Sequence, residues 1–202
     1  MIAIVDYGVG NLFSLECSLK KIGVDTVVTG DAAEIARAEK IILPGVGAFA
    51  DAIKKLRESG LADLIISEAR AGKPIMGICL GMQLLFEASE EYGEHEGLGL
   101  LSGRVVPILR EETKHLKIPE IGWNSLHIEG NHPILKYTRD GDFVYFVHSF
   151  CAEGCRDSLI ASAEYGVSLT AAVGLGNVCG TQFHPEKSGE VGLGILKAFA
   201  EW

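Results

Sequence analysis

The first half of the chain alternates short apolar runs with segments of helical periodicity. Four runs have the length and composition of strands buried on both faces, namely IAIVDY, TVVTG, KIILPG and PIMGIC. Between the first two, Leu12, Leu15, Leu19 and Ile22 recur at helical spacing, and Gly23 follows as a C-terminal cap. This repeat of strand and helix predicts a mostly parallel sheet with helices on both faces.

The remaining helices of the first half are predicted from their starts and their lengths. Asp31 with Glu34 three residues later predicts a helix start, and two further helices are predicted over 49–59 and 61–71. A last helical run, GMQLLFEASEE, follows PIMGIC after only one residue. We therefore expect the fourth strand to lead directly into a helix over 81–91.

The second half of the chain consists mainly of strand-like runs joined by short Gly, Asn and Asp turns. These runs are RVVPIL, NSLHIEG, DFVYFVHSF, LIASAEYG, TAAVGL and VCGTQFH. They predict an antiparallel extension of the sheet, followed by a C-terminal helix that carries Val191, Ile195, Phe199 and Trp202. Since no Pro/Ser-rich linker or internal repeat divides the sequence, we expect one α/β domain over residues 1–202, with a mostly parallel central sheet flanked by helices.

The composition narrows the class of protein. The net charge of −9 argues against binding to nucleic acid or to an anionic membrane surface. No run approaches the roughly 18 apolar residues of a membrane span, and the acidic start is unlike a signal peptide. The five cysteines are scattered and odd in number, so neither a disulfide framework nor a metal site is expected. We expect a cytoplasmic protein that needs no cofactor.

The sharpest chemical signal is Gly77-Ile78-Cys79-Leu80-Gly81, between an apolar strand and a helical run. This pattern is a nucleophile elbow with Cys in place of Ser, and the glycines are needed because the turn is tight. The elbow would expose the sulfur of Cys79 over the start of the following helix. The helix end and a nearby imidazolium would both stabilise the thiolate.

A cysteine nucleophile needs a base, and His184 is the preferred one of six histidines. It precedes a proline, so extended geometry is favoured there, and Glu186 two residues on would lie on the same side of the chain. That carboxylate would orient the imidazole as the third member of a triad. His132 and His148 have no carboxylate at this spacing.

Acyl transfer also needs backbone N–H groups aimed at the developing oxyanion. The amide of Leu80 comes directly after the nucleophile. The glycine-flanked loop Pro44-Gly45-Val46-Gly47 follows a neighbouring strand and can present a second donor, from Val46 or Gly47, without obstruction by side chains.

These segments carry a specific resemblance. GICLGMQLL, PGVGAF and GTQFHPEKS resemble the triad and oxyanion motifs of class I glutamine amidotransferases, in the family's order. DYGVGNLFS, IGWN and YFVHSF narrow the resemblance to the glutaminase subunits of imidazole glycerol phosphate synthases, and the match extends over nearly the whole chain.

The resemblance implies a glutaminase in which Cys79 attacks glutamine, His184 protonates the departing ammonia and Glu186 orients His184. It also implies a set of substrate-binding positions, with Glu91 pairing with the α-ammonium group and a solvated helix end as its alternative role. The set comprises Gly47, Gln83, Glu91, Ser149 and Phe150. Relatives commonly have an aromatic hydroxyl where Phe150 stands, so only a backbone contact would persist there.

The family's partner is a barrel-shaped cyclase, which forms a heterodimer with the glutaminase and receives ammonia through an internal tunnel. It makes imidazole glycerol phosphate and aminoimidazole carboxamide ribonucleotide in histidine biosynthesis. The resemblance implies that Asn11, Trp123 and Lys187 face this partner, although Trp123 could equally be a core aromatic.

Three alternatives remain at the level of sequence. The glutaminase partner of pyridoxal phosphate synthase is also a short chain with a His-x-Glu end, but it usually lacks DYGVGN and IGWN. A stand-alone cysteine hydrolase of related fold often has a His directly after the elbow Cys, where this chain has Leu80. A regulatory subunit without activity would not be expected to retain Cys79, His184 and Glu186.

Overall fold

The computed structural model describes residues 1–202, apart from the side chain of residue 112. The strands are β1 Ile2–Val5, β2 Thr26–Thr29, β3 Lys40–Gly45, β4 Ile75–Cys79, β5 Phe86–Ser89, β6 His95–Glu96, β7 Leu101–Pro107, β8 Glu120–Ser125, β9 His127–Ile128, β10 Phe143–His148, β11 Phe150–Glu153, β12 Leu159–Glu164, β13 Ser168–Leu175 and β14 Val178–Thr181. The α-helices are α1 Leu12–Lys21, α2 Ala32–Arg37, α3 Phe49–Glu58, α4 Leu61–Arg70, α5 Leu80–Gln83 and α6 Gly189–Glu201.

The centre of the molecule is an eight-stranded sheet with the order β2-β1-β3-β4-β14-β13-β12-β9. Its first five strands are parallel neighbours, and β13, β12 and β9 continue it in antiparallel pairing. The expected α/β fold with an antiparallel extension is therefore confirmed. Parallel strands place their carboxyl ends at one edge, which brings the ends of β3 and β4 together there.

Alternate residues of the buried strands feed two apolar cores, one on each face of the sheet. In β1, Ile2 and Ile4 pack on the side of α1 and α6, whereas Ala3 and Val5 pack on the side of α2, α3 and α4. Such two-sided burial explains why the strands of the parallel region are continuous apolar runs. No helix in the described part of the chain is long and apolar enough to cross a membrane.

The predicted helix ends are confirmed at two places. Gly23, at φ +75°, donates its amide to Lys20 while Val24 donates to Leu19, which closes the end of α1. The Asp31 carboxylate accepts the amides of Ala33 and Glu34 at 2.8 and 2.9 Å, so it caps α2.

The predicted helix over 81–91 is wrong. After Cys79 only the four residues of α5 are helical, and the chain then becomes strand β5. The reason is tertiary pairing: carbonyls at 84–87 accept amides from residues 97–101 rather than from the next helical turn. Helix propensity is a weak determinant beside such pairing.

The second half also departs from the expectation of one extended sheet. β7 and β11 join β5 and β6 in a separate four-stranded sheet, and β8 and β10 form a two-stranded ribbon. Hydrophobic alternation predicts that a segment is a strand, but it does not identify the strand's partner.

Candidate active site

The predicted nucleophile, Cys79, ends β4 at φ +53°, a conformation that a residue with a Cβ seldom adopts. The flanking glycines are required by space. A Cβ on Gly77 would lie 2.6 Å from the Gly81 carbonyl oxygen, and one on Gly81 would overlap the Leu43 carbonyl oxygen. The strand, the strained cysteine and the helical turn that follows together form the elbow that the sequence predicts. Since α5 has only four residues, the helix-end contribution to a thiolate is smaller than expected.

His184 and Glu186 lie against each other behind the elbow. The distance from His184 Nδ1 to Glu186 Oε1 is 2.8 Å, and each side chain is 3% exposed. The contact was predicted, but its local geometry differs: only His184 is extended, and Glu186 lies in a 3-10 turn over Pro185–Lys187. Burial opposes the charged imidazolium, but Cys79 and Glu186 outweigh burial and raise the pKa of His184 to about 9. A ring with this pKa holds its proton at neutral pH, beside the Cys79 sulfur.

The residues predicted for catalysis and substrate binding line one pocket of about 380 Å³. Glu186 stands outside this lining, behind His184. The lining consists of Val46, Gly47, Cys79, Leu80, Gln83, Glu91, Tyr92, Pro119, Val147, His148, Ser149, Phe150, His184 and Lys187. This volume lies near the lower end of the roughly 300–1,000 Å³ range of small-molecule pockets, which suits a ligand as small as an amino acid.

The predicted oxyanion loop closes one side of the pocket. Gly47 has φ +94°, and nothing lies within 4 Å of where its Cβ would be. Gly45 is packed instead, since a Cβ there would lie 2.7 Å from the Gly81 nitrogen. The loop is held by Tyr7, whose hydroxyl donates to the Pro44 carbonyl at 2.8 Å, and the phenol's pKa is raised by burial and by Cys79.

The surroundings of Glu91 differ from those expected from the sequence. It is 8% exposed and follows β5, so its alternative role as a solvated helix end is wrong. One carboxylate oxygen accepts the Phe49 amide at 2.7 Å, at the start of α3. Burial raises the pKa of Glu91, while Phe49 and His95 oppose that rise. A buried carboxylate with one oxygen left over is suited to pairing with an ammonium group.

Several residues of the site were missed by the sequence reasoning. Gln182 is fully buried and holds its side-chain nitrogen 3.7 Å from the Cys79 sulfur. Tyr92 stands at the pocket rim at φ +54°, edge-on to Phe150. His148 has a carboxylate after all, from Glu120 on the adjacent strand. Gln182 could have been predicted from the sequence, because it lies two residues before His184.

Of the predicted partner-facing residues, Trp123 and Lys187 are exposed and Asn11 is half-buried. Trp123 is 55% exposed, so its alternative role as a core aromatic is wrong. Its ring stands edge-on to Tyr145, and the Lys187 ammonium lies 5.8 Å from the Tyr145 ring centre. Asn11 precedes α1, which packs against the 3-10 turn that carries Lys187.

Comparison with known proteins identifies the family of the chain. The model of the family "Glutamine amidotransferase class-I" matches residues 3–201. Curated relatives include "Imidazole glycerol phosphate synthase subunit HisH" of Bacillus licheniformis, which is 50% identical over 100% of this chain and 96% of the relative. The protein of the same name from Caldanaerobacter subterraneus is 52% identical over 100% and 98%, and that of Lactococcus lactis is 50% identical over 99% and 98%.

Solved structures support the fold independently. "Structure of PurLQS from Thermotoga maritima" superimposes with a TM-score of 0.76 at 23% identity, covering 99% of this chain and 97% of that one. "Crystal structure of glutamine amidotransferase" gives 0.76 at 20% identity, covering 98% and 99%. The elbow, the full-length family match and the half-identical relatives lead to one conclusion: the chain belongs to the glutamine amidotransferase class-I family, in the group of imidazole glycerol phosphate synthase subunits HisH.

Proposed function

We propose that this chain is the glutaminase subunit of an imidazole glycerol phosphate synthase and supplies ammonia for histidine biosynthesis. The observation that carries the proposal is the buried His184–Glu186 pair beside the strained Cys79, in a pocket of amino-acid size. The half identity to HisH proteins over the full chain favours this acceptor over pyridoxal phosphate synthase or a stand-alone hydrolase.

The reaction follows from the positions of the three side chains. The Cys79 thiolate attacks the side-chain carboxamide carbon of glutamine, and the oxygen of that group becomes an oxyanion. The Leu80 amide and an amide of the Val46–Gly47 segment would stabilise it. Protonated His184 then gives its proton to the departing nitrogen, so the C–N bond breaks and ammonia leaves. A glutamyl thioester remains on Cys79.

Hydrolysis of the thioester completes the cycle. Neutral His184 takes a proton from water, the resulting hydroxide attacks the thioester carbon, and glutamate leaves as the Cys79 thiolate re-forms. Glu186 keeps the ring oriented in both steps. We propose that Glu91 binds the substrate's α-ammonium group, and that Gly47, Gln83, Ser149 and Phe150 line the remainder of the substrate.

We further propose that the β8–β10 ribbon forms part of the surface for the cyclase subunit. Ile121, Trp123 and Phe143 are 61%, 55% and 57% exposed, a concentration of apolar groups that marks a protein interface. In β8–β10 pairing, Tyr145 lies opposite Trp123, and Lys187 lies against the Tyr145 ring, next to the pocket. Ammonia released at Cys79 would then leave towards the partner.

We also propose a cytoplasmic location. All five cysteines are free thiols, as expected in a reducing compartment.

The test is reconstitution with the cyclase subunit and its ribonucleotide substrate. Cys79→Ser should abolish glutamine-dependent product formation but leave ammonia-dependent formation intact. Cys17→Ser, which removes an exposed thiol on α1, is the matched control and should preserve both activities. Glutamate formation that persists in Cys79→Ser would refute the proposed nucleophile.

A further inference from the structure

A second buried histidine–carboxylate pair, whose histidine is part of the pocket lining, has no part in the reaction proposed above. His148 ends β10, and Glu120 begins β8 directly opposite in the ribbon's register. The His148 Nε2 atom is 2.9 Å from Glu120 Oε2, and the two side chains are 2% and 4% exposed. Burying two ionisable groups together is costly, because both must be desolvated.

The hydrogen bonds of this pair determine where its protons lie. His148 Nδ1 is 2.8 Å from the Phe150 carbonyl oxygen. A carbonyl oxygen can only accept, so Nδ1 must carry a hydrogen, and one further proton is shared between Nε2 and the Glu120 carboxyl group. The other carboxyl oxygen accepts from Asn124 at 2.9 Å. Rotating the ring would break both of its hydrogen bonds, so its orientation and its tautomer are fixed.

The Phe150 carbonyl links this pair to two side-chain amides of the site. It also accepts from the Gln83 side-chain nitrogen at 3.1 Å, and that nitrogen lies 2.9 Å from the Gln182 side-chain oxygen. With its oxygen so engaged, Gln182 presents its nitrogen to the Cys79 sulfur at 3.7 Å. The direction of one carbonyl therefore sets the direction of two buried amides, the second of which ends at the nucleophile.

We propose that Glu120 and His148 are positioning residues for the glutamine pocket. Glu120 fixes His148, and His148 holds the Phe150 carbonyl in the direction that aims the Gln83 and Gln182 amides. The pair thereby shapes the substrate-binding wall and keeps an N–H group at the thiolate. Its effect on glutamine rests on the function proposed above, whereas its effect on the thiol does not.

A pair of double variants separates this role from simple packing. In a Glu120→Gln background, which leaves no unpaired buried charge, His148→Asn is compared with His148→Leu. Asn and Leu have nearly the same shape, but only Asn keeps an N–H donor at the position of Nδ1. We expect the glutamine KM of the reconstituted His148→Asn variant to stay within about threefold of that of Glu120→Gln alone. The His148→Leu variant should raise this KM roughly tenfold, the size of one lost buried hydrogen bond.

A second measurement needs neither glutamine nor the partner. The rate at which iodoacetamide alkylates Cys79 is followed by peptide mass spectrometry, with exposed Cys17 in the same molecule as the internal reference. The Leu variant should alkylate Cys79 several-fold more slowly than the Asn variant, while the rate at Cys17 stays the same.

The proposal is overturned if the Asn and Leu variants agree within twofold in both KM and alkylation rate. If the wild-type complex turns over no glutamine, the proposed function fails, and the alkylation rates alone decide the positioning role. If the Leu variant does not fold, the ¹⁵N spectrum of His148 in the wild-type protein decides, because an unprotonated Nδ1 contradicts the geometry.

Discussion

At the scale of single residues, the site depends on the tight packing of the backbone around Cys79. Cys79 is held at a positive φ by two glycines that have no room for a methyl group, and the sulfur faces a histidine that remains charged. Elsewhere in the chain, burial raises the pKa of the Cys151 thiol to about 12 and also raises that of Cys155, which disfavours their thiolate forms. Reactivity therefore follows position rather than residue type.

Replacing His184 by Ala should reduce glutaminase turnover by roughly 10²–10⁴-fold, the usual contribution of general acid–base catalysis. Glu186→Gln should lose less, because the imidazole remains and only its orientation and charge are weakened. Steady-state glutamate release with the partner present measures both. A loss in His148→Ala as large as that in His184→Ala, with the Cys79 alkylation rate unchanged, would assign the acid–base role to His148.

The pH dependence of turnover should report the raised pKa of His184. Since the ring must carry its proton to expel ammonia, glutamine turnover should fall as the pH rises through about 9. Glu186 is one cause of the raised pKa, so Glu186→Gln should move this fall to lower pH. The raised pKa of His184 also makes the stability of the fold depend on pH. Its contribution to the free energy of unfolding is complete below the unfolded-state pKa near 6.5 and is lost as the pH rises through about 9. Unchanged profiles in Glu186→Gln would contradict the assignment.

At the scale of elements, local signals predicted the site better than they predicted the second half of the fold. The strand–Cys–turn of the elbow and the His184–Glu186 contact depend on neighbours in sequence, so residue types and spacing predicted both, although Glu186 reaches His184 from a 3-10 turn and not from an extended segment. The separation of β5, β7 and β11 from the central sheet depends on which strands pair. Glu120 and His148 are 28 residues apart and meet only through the register of β8 and β10, so spacing along the chain could not reveal them.

The oxyanion loop is the element for which a change of state is expected. A peptide unit next to Gly47 can rotate at little steric cost, so the loop could present either an N–H or a carbonyl to the oxyanion. Gly47→Ala meets no neighbouring atom, but a Cβ is strained at φ +94°, so the variant disfavours the observed loop conformation and should change stimulation by the partner more than partner affinity. Gly45→Ala is the contrasting variant, because its methyl group would strike the elbow and damage the site directly.

The measurement is glutamate release by the isolated chain, by the complex, and by the complex with ribonucleotide. We expect the isolated chain to be nearly inactive, since losing one oxyanion donor costs roughly 10²–10³ in rate. Equal rates within a few-fold in all three states would mean that the loop is permanently assembled.

At the scale of the whole molecule, the pocket and the apolar face of the ribbon lie next to each other. Trp123 and Ile121 project from the strand whose first residue is Glu120. Trp123→Ala should weaken binding to the cyclase subunit by tenfold or more, as removal of a central interface aromatic does, because about half of the ring would otherwise be covered by the partner. Titration calorimetry measures the affinity.

The alkylation rate of Cys79 in the isolated Trp123→Ala chain should equal that of wild type, since the ring lies outside the pocket lining. Arg70→Ala, a surface change on α4, is the matched control for affinity. Unaltered affinity in Trp123→Ala would place the partner on another face.

The exposed ribbon also has a consequence for the chain before it meets any partner. The folded chain exposes three apolar side chains when no partner is bound, namely Ile121, Trp123 and Phe143. Copies made in excess of the partner would self-associate through these side chains and then aggregate or be degraded. If the cyclase subunit covers this face as proposed, expression of this chain alone should yield less soluble material than coexpression of the two subunits in matched amounts.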